Sequence, residues 1–252
     1  MSVGDFYDGL APKYHLVYGD DWDVAVEEQG AALDRLIRAL HGGAADVLDC
    51  SCGIGTQAIG LARREYRVSG TDISGRSIER ARAEASRLGA RVTFGVADFR
   101  ELDKVDGTFD VVISCDNALP HLLDDADLSR ALAAMRSKLR PNGLLVIGIR
   151  DYDRALIERP AVAPPQVVTG PPRRLIVRLH DWDADGPFHT VHLFVLTDAV
   201  DGWTVAHHQT RYRALPRAVL ARAADDAGYT DMTWHEADAT GFPQPLMTAR
   251  AG

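Results

Sequence analysis

The chain has 252 residues, of which 46% are hydrophobic and 25% are charged, and its formal net charge is −8 at pH 7. This composition is typical of a soluble globular protein with one large α/β domain, and the negative charge argues against a general affinity for nucleic acid. No apolar run is long enough to cross a membrane, and the first ten residues lack the features of a signal peptide. The spacing of the three cysteines, Cys50, Cys52 and Cys115, suits neither a disulfide framework nor a zinc site. We therefore expect a cytoplasmic protein and assign no metal.

Strand-like and helix-like segments alternate along the first 150 residues. Apolar residues at helical spacing predict helices over 24–40, 58–64, 74–88 and 127–139. Short apolar runs predict strands over 46–50, 67–71, 92–97, 109–114 and 144–149. Because short strands that alternate with helices of about 10–15 residues are typical of βαβ units, we predict an α/β fold with a Rossmann-like, doubly wound and mostly parallel sheet.

The pattern changes after residue 150. Residues 154–172 contain five prolines, which predicts an irregular crossover. Three β-like runs follow at 174–181, 189–196 and 203–212, separated by Asp-Gly turn signals. We therefore expect a small antiparallel insertion after the fifth strand. A helix over 216–227 and a strand pair at 229–236 and 246–250 complete a seven-stranded sheet.

A loop with two glycines joins the first predicted strand to the next helix. Gly53 and Gly55 let the backbone turn tightly and approach a ligand closely. Asp72 ends the second strand, where a carboxylate can bind the hydroxyl groups of a ribose. These features together predict a site for a nucleoside-bearing cofactor. A dinucleotide site needs a third glycine where Ala58 stands, so a nicotinamide cofactor is the weaker alternative.

Segments farther along the chain indicate which nucleoside-bearing cofactor the site binds. Asp98 and Phe99 close the third strand, where an acid and an aromatic ring suit adenine. The fourth-strand motif follows at 109–115, and residues 139–147 lead into the fifth strand. In this order the motifs resemble those of class I S-adenosylmethionine-dependent methyltransferases, over about residues 7–150.

Two short segments resemble one group within that class. Residues 116–122, Asp-Asn-Ala-Leu-Pro-His-Leu, resemble the Gly-Asn-Ser-Phe-x-His-Leu segment of glycine and sarcosine N-methyltransferases and their bacterial small-molecule relatives. Residues 150–153, Arg-Asp-Tyr-Asp, resemble their Arg-Asn-Tyr-Asp, and residues 240–245 also have a counterpart in bacterial members. The first two segments lie at carboxyl ends of predicted strands, where open α/β sheets bind ligands.

The resemblance implies S-adenosylmethionine as the cofactor and a set of residues that bind it. These are Tyr14, Asp49, Ser51, Gly53, Gly55, Asp72, Ile73, Asp98, Phe99, Cys115 and His121. It further implies that Asn117, Arg150 and Tyr152 bind the acceptor, and that Arg150 holds an acceptor carboxylate through its planar guanidinium. His121, Asn117 and Tyr7 would act at the reaction centre.

The N-terminal aromatic residues also resemble this family, and the resemblance implies that they fold over the cofactor. We therefore expect a single methyltransferase domain over 1–252, with an N-terminal lid at 1–23 and the β insertion at 154–213 as a lid over the substrate. Because edge strands of such an insertion often pair, we also consider a homodimer. Membranes and nucleic acids are not expected partners.

The expected reaction is methyl transfer to a small molecule, on an amine nitrogen of an amino-acid-like acceptor. One alternative is a natural-product C- or O-methyltransferase that acts on an indole or a phenol. Such an acceptor would benefit from a base, for which His121, His15, Tyr7 and Tyr152 are the candidates. An NAD-dependent oxidoreductase and a non-catalytic cofactor-binding protein are the more distant alternatives.

Overall fold

The fold is built on two β-sheets, seen in a computed structural model that describes residues 2–19, 21–43 and 45–252. Positions 1 and 20 of the predicted N-terminal lid therefore lie outside the described residues. The strands in chain order are β1 (Asp46–Asp49), β2 (Arg67–Asp72), β3 (Val92–Val96), β4 (Phe109–Ser114), β5 (Leu139–Gly148), β6 (Gln166–Val168), β7 (Arg174–Trp182), β8 (Phe188–Ala199), β9 (Gly202–Arg213), β10 (Tyr229–His235) and β11 (Leu246–Ala251).

Helices connect the strands and cover the larger sheet. The α-helices are α1 (Val3–Leu10), α2 (Trp22–His41), α3 (Thr56–Ala62), α4 (Gly75–Arg87), α5 (Asp125–Lys138), α6 (Tyr152–Glu158), α7 (Arg217–Asp226) and α8 (Ala237–Thr240). Short 3-10 segments span Ala11–Tyr18 and Leu119–His121. Among the described residues, no helix is both long and apolar enough to span a membrane.

The seven-stranded sheet has the order β10-β11-β5-β4-β1-β2-β3. Strands β1 to β5 pair in parallel, and β11 runs antiparallel to both of its neighbours. Val47 and Leu48 are both fully buried, because successive side chains of β1 face opposite sides of a sheet that is covered on both faces. Val47 packs in the core beside α2 to α4, and Leu48 packs in the core beside α5 and α7. The predicted α/β, mostly parallel sheet is confirmed.

The predicted antiparallel insertion is also confirmed, and it has four strands in the order β6-β7-β8-β9. Its buried face carries Ile176 and Leu193, and these side chains pack against Phe6, Leu10 and Leu16 of the N-terminal segment. Residues 6–17 and the insertion therefore share a small hydrophobic core, separate from the two cores of the main sheet.

Two predicted boundaries are wrong. Strand β5 begins at Leu139 rather than at residue 144, because the Pro-Asn-Gly sequence lies in an irregular stretch of the strand where the register with β4 shifts. The predicted crossover at 154–172 contains most of α6 and the short strand β6. Helix α6 forms because the side chain of Asp151 caps it by accepting a hydrogen bond from the backbone N–H of Arg154, at 3.1 Å.

Candidate active site

Two adjoining cavities lie at the carboxyl ends of the parallel strands. The strand-end cavity, of about 90 Å³, is lined by the ends of β1 to β4, and the insertion chamber, of about 490 Å³, lies between the N-terminal segment and the β insertion. Tyr7, Tyr14 and Asp116 line both cavities. A ligand in the first cavity therefore meets a ligand in the second at these three side chains.

Most of the residues predicted to bind the cofactor line the strand-end cavity. They are Tyr14, Ser51, Gly53, Asp72, Ile73, Asp98, Phe99, Cys115 and His121. Asp49 and Gly55 do not line either cavity. Gly55 instead begins α3 with a φ of 94°, and a Cβ atom there would lie 2.9 Å from Ile59 Cδ1, so its place in the loop needs glycine.

The Gly-containing loop is tied to the end of β2 by Asp72. The backbone N–H of Gly53 donates to Asp72 Oδ2 at 2.9 Å, and the backbone N–H of Ser74 donates to Oδ1 at 2.9 Å. Burial raises the pKa of Asp72 to about 6, against the opposing effect of these hydrogen bonds. Each oxygen keeps a lone pair that can accept a further hydrogen bond, so the carboxylate can also bind two vicinal hydroxyl groups.

Asp49 is a buried acid with an unsatisfied oxygen. The side chain is 1% exposed, and its Oδ2 atom has no hydrogen-bond partner among the described residues. Burial raises its pKa to about 8. The residue lies directly before the loop, and a cationic ligand bound in the loop would stabilise its charged form.

Asp98 and Phe99 line the strand-end cavity together with Arg100, which the sequence analysis did not single out. Arg100 Nη2 donates to Asp98 Oδ2 at 2.6 Å, and its Nε also contacts both carboxylate oxygens. Burial raises the pKa of Asp98, but the Arg100 contacts outweigh this effect and lower it overall. Asp98 is therefore held as a carboxylate in a fixed orientation at the edge of the cavity.

Tyr7 and His121 form a hydrogen-bonded pair at the wall of the strand-end cavity. Tyr7 Oη lies 2.9 Å from His121 Nε2, and Thr210 Oγ1 lies 3.4 Å from His121 Nδ1. Burial lowers the pKa of His121 to about 3 and raises that of Tyr7 well above its usual range. Both groups are therefore neutral near pH 7, and the imidazole is a weak base. His15, another base candidate, lines neither cavity.

The three predicted acceptor residues lie together, but only one of them faces a cavity. Asn117 is 2% exposed; its Nδ2 donates to Tyr152 Oη at 2.9 Å, and its Oδ1 accepts the backbone N–H of Arg150 at 3.1 Å. Tyr152 is also 2% exposed. Arg150 lines the insertion chamber, where its Cζ lies 6.0 Å from the centre of the Tyr212 ring. Asn117 and Tyr152 thus form a buried support for the backbone of Arg150.

Three polar residues of the chamber were missed by the sequence analysis as site residues: Asp116, Tyr18 and Arg178. Asp116 Oδ2 accepts hydrogen bonds from Tyr18 Oη at 2.5 Å and from Gln57 Nε2 at 2.9 Å. A signal for Asp116 was present, since it stands where the resembling segment has glycine. Tyr18 and Arg178 carry no such signal, because they reach the chamber only through the folding of the lid segment and the insertion.

Comparison with known proteins agrees with this fold. Residues 47–143 match a family described as a methyltransferase domain. A glycine/sarcosine N-methyltransferase of Parasynechococcus marenigrum is 34% identical over 137 residues, which is 54% of this chain and 48% of that protein. A 27-O-demethylrifamycin SV methyltransferase of Amycolatopsis mediterranei is 36% identical over 173 residues, which is 64% of this chain and 61% of the relative. The chain spans about half the length of the curated relatives that it matches.

Among solved structures, the amino pentose methyltransferase CalS10 of Micromonospora echinaspora superposes with a TM-score of 0.74 at 24% identity, covering 95% of this chain and 96% of its own. The matched domain over residues 47–143 and the shared fold agree with the expected class, the class I S-adenosylmethionine-dependent methyltransferases. The cofactor of this class is S-adenosylmethionine, as the motifs predicted.

The residues of the site fit this cofactor. The unsatisfied Asp49 oxygen beside the loop suits the cationic methionine end, and Asp72 retains lone pairs for the ribose hydroxyls. Ile73 and Phe99 offer apolar surfaces on which an adenine ring can pack. The strand-end cavity, with Asp49 buried behind its loop, thus offers the types of group that each part of the cofactor needs.

Proposed function

We propose that the protein transfers a methyl group from S-adenosylmethionine to a nitrogen atom of a small-molecule amine. One observation carries this proposal: the strand-end cavity and the insertion chamber meet at Tyr7, Tyr14 and Asp116. A donor bound at the strand ends can therefore present its methyl group to an acceptor in the chamber. The relative named a glycine/sarcosine N-methyltransferase supports nitrogen as the methylated atom.

In this proposal the cofactor lies along the strand ends from β1 to β3. The loop from Ser51 to Gly55, with Asp49 behind it, holds the methionine end, and Asp72 holds the ribose. Asp98, Phe99 and Ile73 bind the adenine. Cys115 and His121 close the pocket beside the sulfonium, together with Tyr7 and Tyr14 of the lid. The places of most of these groups on the wall of the strand-end cavity, and their hydrogen bonds, support the assignment.

The protein contributes mainly by positioning the reactants and excluding water. When bound, the cofactor supplies an electrophilic methyl group. The lid segment and the insertion cover the place where the two cavities meet. An amine bound there is aligned with the methyl carbon and is shielded from water. A neutral amine needs no strong base in the attack, which agrees with the low pKa of His121. His121 and Tyr7 therefore orient the reactants, and Asn117 and Tyr152 hold Arg150 in place.

The size of the chamber favours an acceptor larger than glycine. A volume of about 490 Å³ lies in the range of about 300–1,000 Å³ that is typical of sites for drug-sized ligands. This observation also favours the second candidate function, methylation of an oxygen or carbon atom of a natural product, for which the rifamycin-related enzyme is a precedent. The cytoplasmic location and the homodimer stay predictions.

Calorimetry and an acceptor screen test the proposal. We expect S-adenosylmethionine and S-adenosylhomocysteine to bind, and NAD not to bind. With cofactor labelled in the methyl group, a screen over amino acids, amino sugars, indoles and phenols should give labelled amine products. Binding of NAD alone would contradict the proposal, and labelling of oxygen or carbon acceptors only would favour the second candidate.

A further inference from the structure

We propose that the acceptor is an amino acid with a large ring-bearing side chain, whose amino group binds at Asp116 and whose carboxylate binds between Arg178 and Arg150. This inference rests on the proposed function and adds a substrate class to it. It assigns acceptor-binding roles to Asp116 and Arg178, two residues on different elements of the chamber wall.

Asp116 and its neighbour Asn117 both have a left-handed backbone conformation. The φ of Asp116 is 55° and that of Asn117 is 68°, so two consecutive residues other than glycine lie in the left-handed region. The segment that this stretch resembles has glycine at the position of Asp116, where such a φ is favourable. The chain thus has a carboxylate at a position where glycine is the least strained residue and aspartate is tolerated.

The carboxylate of Asp116 is prepared to accept a further donor. Tyr18 and Gln57 both donate to Oδ2, and Oδ1 accepts no hydrogen bond from a described residue. Asp116 also lines both cavities, so its carboxylate lies where donor and acceptor meet. An amino group that donates to Asp116 would therefore have its nitrogen beside the methyl group to be transferred.

Arg178 and Arg150 supply positive charge to the same chamber. Arg178 Nη2 donates to the carbonyl oxygen of Val17 at 3.1 Å and to Gln166 Oε1 at 3.0 Å. Among the described residues, neither arginine forms an ion pair with a carboxylate, although the chain carries a net charge of −8. Burial lowers the pKa of Arg178, and the charge of Arg150 lowers it further. Two partly buried cations that repel each other are stabilised by an anionic ligand between them.

The rest of the chamber wall combines aromatic and apolar side chains with polar ones, which are Glu28, Gln29, Gln166, Thr210 and Gln244. Phe6, Tyr14, Tyr18 and Tyr212 line it, beside Val191 and Leu193 of the insertion. Aromatic walls and a volume of about 490 Å³ suit a ring system. The carboxylate of Asp116, where the two cavities meet, then matches the amino group of an amino acid, and the guanidinium groups of Arg150 and Arg178 match its carboxylate.

The test uses three indole compounds that differ only in the charged groups. The protein is saturated with S-adenosylhomocysteine and titrated in a calorimeter with L-tryptophan, with tryptamine, which lacks the carboxylate, and with 3-indolepropionate, which lacks the amine. Glycine is the fourth probe. We expect L-tryptophan to bind at least about 10-fold more tightly than each of the other three, because each leaves a polar group or the aromatic wall without its partner.

Two variants test which side chain binds the amino group of the acceptor and which binds its carboxylate. Asp116→Asn should abolish the preference for L-tryptophan over 3-indolepropionate and retain the preference over tryptamine, whereas Arg178→Gln should do the reverse. The matched controls are Asp198→Asn and Arg173→Gln, which alter an exposed ion pair of the same insertion, with a 3.0 Å contact. If Arg178→Gln does not fold, Arg178→Lys retains the charge and should lose part of the preference over tryptamine.

The outcomes distinguish the inference from the proposed function. If the indole compounds bind within about twofold of one another, if none of them binds, or if glycine binds more tightly, the inference is overturned. If S-adenosylhomocysteine itself does not bind the wild-type protein, the proposed function fails first. Preferences that change equally in the control variants would also overturn the assignment of Asp116 and Arg178.

Discussion

At the scale of single residues, the carboxylate of Asp72 has a structural role, and we propose that it also binds the cofactor. It accepts the backbone N–H groups of Gly53 and Ser74, and so it holds the loop in the position from which a cofactor is bound. Arg150 is held differently, through its backbone N–H on Asn117, so that its guanidinium remains directed into the insertion chamber. Each residue leads to a prediction about one ligand.

We predict that Asp72→Asn weakens the binding of S-adenosylhomocysteine about 10- to 100-fold, because the amide has one acceptor oxygen instead of two and carries no charge. Calorimetry measures the change. Asp103→Asn, at an exposed position outside both cavities, is the control and should bind like the wild type. An unchanged dissociation constant in Asp72→Asn would remove Asp72 from the ribose site.

We predict that Arg150→Ala raises KM for a carboxylate-bearing acceptor about 10- to 100-fold with a smaller effect on kcat, because the lost contact is to a part of the substrate that does not react. Steady-state kinetics with labelled cofactor measure both constants. The nearby Arg154→Ala removes an exposed arginine that pairs with Glu158 and should change neither. If KM is the same in the Arg150 variant, the acceptor carboxylate is bound elsewhere.

At the scale of elements, the N-terminal helix α1 is attached to the rest of the protein at three places, one of which is the hydrogen bond between Tyr7 Oη and His121 Nε2. The apolar face of α1 packs on the β insertion, and Asp8 Oδ1 accepts hydrogen bonds from Ser74 Oγ at 2.6 Å and from the backbone N–H of Arg76 at 3.1 Å. Asp8 therefore joins the lid to the first turn of α4, next to the cofactor site. Side-chain hydrogen bonds and packing hold this segment, and it takes no part in either β-sheet, so its local opening should be easier to change than that of the sheet.

We predict that Asp8→Ala increases hydrogen exchange in residues 3–18 and speeds the release of S-adenosylhomocysteine severalfold, while exchange in β1, β4 and β5 stays slow. Loss of the two hydrogen bonds costs about 1–3 kcal/mol, and this cost falls on the lid alone. Exchange detected by mass spectrometry and stopped-flow dissociation measure the two effects. Equal acceleration across the main sheet would show a global loss of stability instead.

At the scale of the whole molecule, buried histidines join the insertion to the main domain. His189 is 1% exposed; its ring stacks on Trp182 at 4.2 Å and lies 6.1 Å from the ring of Tyr152 in α6. His180 lies 5.4 Å from His189. Burial lowers the pKa of both imidazoles to about 4, with a further contribution from the nearby cationic groups. Both are therefore neutral when the protein is folded near pH 7.

These pKa values imply a loss of stability in acid. Between about pH 6.5 and 4 the unfolded chain binds a proton at His189 and the folded protein does not, so the free energy of unfolding falls as the pH falls. We predict that His189→Phe removes up to about 1.4 kcal/mol per pH unit of this dependence. Asp49 and Asp72 titrate with the opposite sign, so the quantity to measure is the wild-type minus variant difference from denaturant unfolding.

A difference that stays constant between pH 7 and pH 4 would contradict this prediction. It would mean that His189 is either solvated in the folded protein or charged there, and that the contact with Trp182 does not exclude water. The same measurement on His180→Phe shows whether the two imidazoles act together.

By itself, the sequence determined the mostly parallel sheet and the antiparallel insertion, and it predicted the cofactor end of the proposed site. These features depend on residues that are close in the chain: the alternation of apolar residues specifies each strand, and Gly53 and Asp72 lie at successive strand ends of one βαβ unit. The boundaries of β5 and α6 were missed because an irregular pairing and a side-chain cap decided them.

Only the tertiary structure decided the acceptor end. It buried Asn117 and Tyr152 as supports for Arg150, and it brought Arg178, Tyr18 and Asp116 to one chamber wall. Arg178 contacts Val17 across 161 residues of sequence, and Tyr18 contacts Asp116 across 98. Such contacts leave no periodic pattern in the chain, because they form only when the lid segment and the insertion pack against each other. The proposed cofactor site therefore depends on residues that are close in the chain. The proposed acceptor site depends on contacts between residues that are far apart in the chain.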